Sequence, residues 1–109
     1  MMKSLDLVFL WHMHQPDYRD HGGTTGEGEF MLPWVYLHAI KDYVDMAAHL
    51  ERHPKIRCVV NLVPVLLDQI DDYARQFATG HFRDPLLRML ATPDLGAISQ
   101  GERRLLLDT

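Results

Sequence analysis

The chain has 109 residues, which is enough for one small domain. Hydrophobic residues make up 47% of it and charged residues 24%, as is typical of a globular protein. The formal net charge is -4 and the lysines and arginines form no stripe, so we expect no nucleic-acid partner. No apolar run approaches the roughly 20 residues of a membrane span. We therefore expect no membrane partner.

The single cysteine and the N-terminus bear on location. Cys58 lies in an apolar run and cannot form an internal disulfide, which favours a reducing compartment. The N-terminal apolar run is interrupted by Asp6 and is followed by no small-residue cleavage site, so we expect no signal peptide. Together these features predict a cytoplasmic protein.

The first predicted element is a strand over residues 5–11, an apolar run that favours burial on both faces. The sequence His-Met-His-Gln-Pro follows from His12 onward. Residues 17–31 contain four glycines and several charges, which predicts a long loop. Long loops inside compact domains are usually functional or mobile.

A helix is predicted next, starting near Pro33 and ending before Pro54. Its apolar residues recur at helical spacing: Leu37, Ile40, Val44 and Ala47. Residues 55–63, KIRCVVNLV, predict a second buried strand. A second helix starts at Pro64 and ends at Gly80, where a positive φ angle is expected.

The second helix has a predicted apolar side and a predicted solvent side. The apolar side consists of Leu66, Leu67, Ile70, Ala74 and Phe77. The residues expected in solvent are Asp68, Asp71 and Asp72. The rest of the chain is predicted to be helical, with Asp84 as one cap and the pair Ser99 and Glu102 as a capping box.

The order strand, helix, strand, helix predicts an α/β fold with a parallel sheet and right-handed crossovers. Two parallel strands leave unpaired edges on both sides and do not form a stable sheet alone. We therefore expect residues 1–109 to be one incomplete domain, completed by further chain or by self-association with a second copy.

Polar side chains cluster where the predicted strands end. Ligands of parallel α/β folds bind beyond the carboxyl ends of the strands. His12, His14 and Gln15 follow the first strand, and Asn61 lies within or just after the second. Alternation along a strand sends His12 and His14 to the same side. We expect these four side chains to converge.

Three interpretations of this cluster compete. Two neutral imidazoles could hold a metal ion, although further ligands from other strands would be needed. Alternatively, imidazoles and amides match the hydroxyls of a sugar, and Trp34 could either stack on a sugar or pack in the helix. The third interpretation is ordinary loop polarity. Tyr43 is predicted to pack rather than to contact a ligand, and His38, His49 and His53 are predicted to be structural or exposed.

Three segments resemble a known family: residues 11–18 (WHMHQPDY), 32–54 and 59–74. In this order and spacing they resemble the N-terminal segment of glycoside hydrolase family 57, which includes α-amylases, 4-α-glucanotransferases and branching enzymes. The resemblance implies the βαβα beginning of an incomplete (β/α)7 TIM-like barrel followed by helices. It also implies retaining chemistry on α-glucans without a metal or another cofactor.

The resemblance implies roles for particular residues. His14 and Gln15 would contact the sugar near the cleaved bond, with His12 supporting them. The nucleophilic Glu and the acidic Asp of the family lie on later strands, and no residue here matches either. The expected substrate-binding residues are His12, His14, Gln15, Trp34 and Asn61, and no catalytic residue is assigned.

The expected function is therefore the N-terminal part of an α-glucan-active hydrolase or glucanotransferase. Its partners would be an α-glucan or maltooligosaccharide and the remainder of the catalytic domain. Two alternatives stay open: a metal-dependent barrel hydrolase that uses His12 and His14 as ligands, and a non-catalytic carbohydrate-binding fragment.

Overall fold

The computed structural model describes residues 3–22 and 28–108. The described residues contain four strands: β1 (Leu10–Met13), β2 (Arg19–Asp20), β3 (Glu29–Phe30) and β4 (Val59–Leu62). Their helices are α1 (Trp34–His38), a π-helical turn (Ala39–Tyr43), α2 (Val44–Arg52), α3 (Pro64–Thr79), α4 (Pro85–Ala91), a 3-10 turn (Leu95–Ala97) and α5 (Gln100–Asp108). None of the described helices is both long enough and apolar enough to cross a bilayer.

The principal sheet pairs β1 with β4 in parallel, with Leu10 opposite Val59 and Met13 opposite Leu62. The helical segment from α1 to α2 lies between the two strands in the chain, and α3 begins directly after β4. This order and the parallel direction agree with the pattern expected from the sequence. The described part of the chain is thus a mixture of helices and small sheets.

The predicted loop over residues 17–31 is partly a hairpin. β2 and β3 pair antiparallel, with Arg19 opposite Phe30 and Asp20 opposite Glu29. Gly28, with a φ of 75°, stands beside this pairing, and a Cβ atom there would lie 2.9 Å from the Asp20 carbonyl oxygen. Glycine is therefore required at this position. Residues 23–27 of the predicted loop lie outside the described residues.

The expectation of buried strands is wrong for the described residues. The first strand begins only at Leu10, and the residues before it are largely exposed, with Leu5 at 92% and Val8 at 74%. All four residues of β4 are exposed as well. A strand is buried on both faces only when other elements cover both faces of its sheet. The described helices do not provide that cover.

The predicted first helix is present, but a π-helical turn interrupts it. Ile40 and Val44, expected on the buried side, are each 58% exposed. In a π-helical turn the hydrogen bonds join residues i and i+5. One such turn therefore contains more residues than an α-helical turn, and the side chains that follow it point in different directions from those of a continuous α-helix. The apolar spacing that holds at 3.6 residues per turn is therefore shifted after Ala39.

The core lies between the β3–α1 region and α3. It consists of Phe30, Val35, Leu66, Tyr73 and Leu87. The buried side of α3 differs from the prediction, because Leu67 and Phe77 are about half exposed whereas Gln69, Asp72 and Gln76 are buried. The placement of Asp72 in solvent is therefore wrong, and its carboxylate instead faces two arginines.

Local signals at the helix ends are confirmed. α3 ends at Gly80, whose φ is 68°. The Asp84 carboxylate caps α4 by accepting from the Leu86 amide at 2.8 Å. Ser99 and Glu102 form the predicted capping box, in which the Glu102 amide donates to Ser99 Oγ at 3.2 Å and the Ser99 amide to Glu102 Oε2 at 2.9 Å.

Candidate functional site

The two histidines of the His-Met-His sequence lie on the same side of the chain, as strand alternation predicts. The ring centroids of His12 and His14 are 5.9 Å apart and the ring planes differ by 5°. His12 lies inside β1 rather than beyond it, because the strand continues to Met13. The position expected for His12 after the strand is therefore corrected, whereas His14 and Gln15 do follow the strand.

The parallel register brings Asn61 to His12. The two residues are partners in the β1–β4 ladder, and His12 Nδ1 lies 2.9 Å from Asn61 Oδ1. Because an amide oxygen only accepts, Nδ1 carries the proton, and in the neutral ring Nε2 is an acceptor. Asn61 does not cap the following helix, since the N-cap residue of α3 is Val63. Its side chain orients the His12 ring instead.

Two tyrosines hold the Gln15 amide. The Tyr18 hydroxyl donates to Gln15 Oε1 at 2.9 Å, and Gln15 Nε2 donates to the Tyr43 hydroxyl at 3.4 Å. The amide keeps one N–H and one lone pair for another partner. Tyr43 was expected only to pack, so this polar contact is one that the sequence interpretation missed.

The segment after Gln15 is anchored to α3 by a buried amide. Gln69 is fully buried. Its Oε1 accepts from the Tyr18 amide at 3.0 Å, while Nε2 donates to the carbonyl oxygens of Pro16 at 2.8 Å and Val65 at 3.1 Å. These three hydrogen bonds fix the backbone on which Gln15 is presented.

Ion pairs around Arg19 reinforce the same anchor. Its guanidinium lies 2.8 Å from Asp17 Oδ1 and 3.4 Å from Asp72 Oδ2. The hydrogen bond from Arg19 holds the pKa of the Asp17 carboxyl far below its usual range, although partial burial opposes the shift. The same hydrogen bond raises the pKa of Arg19. Asp17, which lies in the predicted long loop, is thus part of a charged cluster.

An open pocket of about 400 Å³, here called the site pocket, lies at the end of β1. Its lining residues are Leu10, Trp11, His12, Met13, His14, Gln15, His38, Tyr43 and Met46. Three of the five expected binding residues thus line one pocket. Asn61 does not line it but is hydrogen-bonded to His12, which does. Trp34 does not line it, but its ring centroid lies 6.2 Å from that of His38.

His38 is a second residue that the sequence interpretation missed. It was expected to be structural or exposed, yet it lines the site pocket. His38 Nδ1 lies 2.5 Å from Asp42 Oδ2, and this hydrogen bond lowers the pKa of the Asp42 carboxyl. The spacing of four residues between His38 and Asp42 was visible in the sequence. The proximity of His38 to the end of β1 was not, because it depends on tertiary packing.

The metal alternative gains no support from the side chains that surround the histidine pair. Within residues 3–22 and 28–108, no three His, Cys, Asp or Glu side chains come together in a way that could hold a metal ion. A catalytic metal site usually has three protein ligands.

Comparison with known proteins gives one family. The family model for glycosyl hydrolase family 57 matches residues 8–99, which include all five expected binding residues. Comparisons with curated proteins and with solved structures give no match. The family match covers most of the chain, and it does not favour the metal-dependent alternative. The chain belongs to glycosyl hydrolase family 57.

Proposed function

We propose that these residues form the N-terminal part of a retaining α-glucan-active enzyme, either a hydrolase or a glucanotransferase. Residues 1–109 would be part of one catalytic domain built as an incomplete (β/α)7 barrel. Family membership supports glycoside chemistry. The parallel β1–β4 pair with a helical crossover supports a barrel-type arrangement, since barrels are built from such units.

The site pocket is proposed to bind a sugar ring of an α-glucan or maltooligosaccharide. Sugar hydroxyls both donate and accept, and the pocket offers both kinds of partner: an acceptor at His12 Nε2 and a donor at the remaining N–H of Gln15. Trp11 adds an apolar face. The observation that carries the proposal is that His12, His14 and Gln15 line one pocket, with two of these side chains already oriented by neighbours. Such preorganisation lowers the entropic cost of binding.

The catalytic carboxylates are proposed to come from chain outside residues 1–109. Retaining hydrolysis requires two carboxyl groups about 5 Å apart across the cleaved bond. The described residues that line the site pocket include no Asp or Glu. Asp42, the nearest carboxylate along α1 and the π-helical turn, is engaged by His38. The exposed strands β1 and β4 would pair with the remainder of the catalytic domain or, without it, with a second copy.

We further propose a cytoplasmic location. The free thiol of Cys58 supports it, because residues 1–109 contain no second cysteine with which it could form a disulfide.

Binding and turnover assays test the proposal. Maltotetraose is expected to bind the wild-type protein measurably in calorimetry, and His14→Ala is expected to weaken binding about tenfold by removing one direct hydrogen-bonding group. His49→Ala is the matched control, because His49 is exposed on α2 and does not line the site pocket.

The 109-residue chain itself is expected to hydrolyse neither starch nor maltooligosaccharides, as measured by the release of reducing ends. Robust turnover by this chain would contradict the proposal that the carboxylates lie elsewhere. Binding without turnover by a longer protein that contains these residues would favour the non-catalytic carbohydrate-binding alternative.

A further inference from the structure

We propose that His38 is a further sugar-contacting residue of the site pocket and that Asp42 orients it. The inference deepens the proposed function and rests on it. Neither residue was among those expected from the sequence to contact a sugar.

The position of His38 supports a role at the pocket rather than on the outer surface of the helix. It is the last residue of α1 and lines the site pocket together with His14 and Gln15. Two aromatic rings lie near its ring, with centroid distances of 6.2 Å to Trp34 and 6.4 Å to Tyr43. The ring therefore has two aromatic neighbours, yet its side chain remains 39% exposed.

The hydrogen bond to Asp42 fixes which His38 nitrogen is left for a ligand. Nδ1 lies 2.5 Å from Asp42 Oδ2, and an ionised carboxylate only accepts, so Nδ1 carries the proton. The remaining polar atom is Nε2, which in the neutral ring accepts a hydrogen bond. His12 has the same arrangement, with Asn61 in the place of Asp42. The pocket thus holds two imidazoles whose Nδ1 protons are bound by neighbours, a pair suited to sugar hydroxyl donors.

The π-helical turn explains how one helix supplies two polar groups to the pocket. Its hydrogen bonds run from i to i+5, which brings residues five positions apart to the same side. His38 and Tyr43 have this separation, and both line the site pocket. Single π-helical turns occur frequently at functional sites. In this chain the turn places Tyr43 against Gln15 and keeps His38 beside it.

Two substitutions separate a sugar contact from a purely structural hydrogen bond. His38→Asn keeps an N–H donor near the Nδ1 position, and so the bond to Asp42, but leaves no group at the Nε2 position. His38→Gln does the reverse, since its longer side chain carries a polar group to the Nε2 position. We expect His38→Asn to weaken maltotetraose binding about tenfold, and His38→Gln to retain most of the affinity.

The following helix, α2, provides a matched control pair. Asp45 and His49 have the same four-residue separation, but both are exposed on α2 and lie outside the pocket lining. His49→Asn is expected to leave maltotetraose affinity unchanged. Thermal unfolding of each variant is measured alongside, so that affinities are compared only among folded proteins.

The outcomes distinguish the inference from the function on which it rests. If the wild type binds maltotetraose and His14→Ala weakens binding, but His38→Asn binds like the wild type, the role of His38 is overturned and the proposed function stands. A larger loss in His38→Gln than in His38→Asn also overturns it, because the bond to Asp42 would then be the important feature. If the wild type binds no maltooligosaccharide, the proposed function fails and this inference fails with it.

Discussion

Replacing Asp72 by asparagine is expected to lower the free energy of unfolding by about 3 kcal/mol, since two guanidinium groups lose the buried carboxylate that they share. Asp72 is 2% exposed and lies on α3. Its Oδ1 atom accepts from Arg83 and its Oδ2 atom from Arg19 Nη1. Asparagine keeps the shape but turns an NH2 group towards one of the two guanidinium groups. The loss is measured by urea unfolding, and the dependence of the unfolding free energy on urea concentration (the m-value) is expected to be the same in both proteins.

The neighbouring residue supplies the control for Asp72. Asp71 pairs with Arg75 on the surface of the same helix, and both side chains are more than half exposed. Exposed ion pairs contribute about 0–1 kcal/mol, so Asp71→Asn is expected to change stability by no more than that. Equal losses from the two variants would show that Asp72 is solvated after all, as its place among three aspartates suggested.

Replacing Gln69 by leucine is expected to disturb both the fold and the site. The change removes three hydrogen bonds and leaves the Tyr18 amide and the Pro16 carbonyl without their side-chain partner. An unsatisfied group that is fully buried costs about 1–3 kcal/mol. The Tyr18 and Pro16 groups are only partly buried, so we expect a loss of unfolding free energy near the lower end, about 1 kcal/mol. Because Tyr18 holds the Gln15 amide, maltotetraose affinity is also expected to fall about tenfold.

A second buried glutamine of α3 separates the two effects of Gln69→Leu. Gln76 is 3% exposed, accepts from the Arg83 amide at 2.8 Å and donates to Asp72 Oδ1 at 3.2 Å. Gln76→Leu is therefore expected to cost similar stability without touching the segment that presents Gln15. If both variants lost affinity equally, the anchoring role of Gln69 would be contradicted, and general loosening of the fold would explain the loss.

Helix ends could be predicted from the sequence because their signals are local. A proline at Pro64 starts α3, Gly80 ends it with a positive φ, and Asp84 caps α4 through its own side chain. Each of these depends on residues within four positions. The parallel direction of the two longer strands was also predictable, because a crossover of this length contains a helix.

The interior of the fold was less predictable because it depends on distant partners. Asp72 looked like a solvent-exposed residue because its two arginines are 53 and 11 positions away in the chain. The π-helical turn shifted the buried side of the first helix, and no pattern in the sequence predicted this turn. The strands looked buried because they are apolar, whereas their exposure depends on which elements cover the sheet.

In the candidate site, too, the local features were predictable and the contacts between distant residues were not. Alternation along one strand was enough to place His12 and His14 on one side. The contact between His12 and Asn61 required the register of two strands separated by 49 positions. His38 was assigned to the helix correctly but not to the pocket, because only tertiary packing brings the helix beside the segment that contains Gln15.

Direct observation of the imidazole groups while sugar is added tests whether His12 and His14 bind the sugar. Histidine side-chain NMR signals are recorded during titration of the protein with maltotetraose. We expect saturable shifts at the His12 and His14 ring nitrogens, with none at His49 and His53. Saturable binding that leaves the His12 and His14 signals unchanged would contradict it, because the sugar would then occupy a different surface.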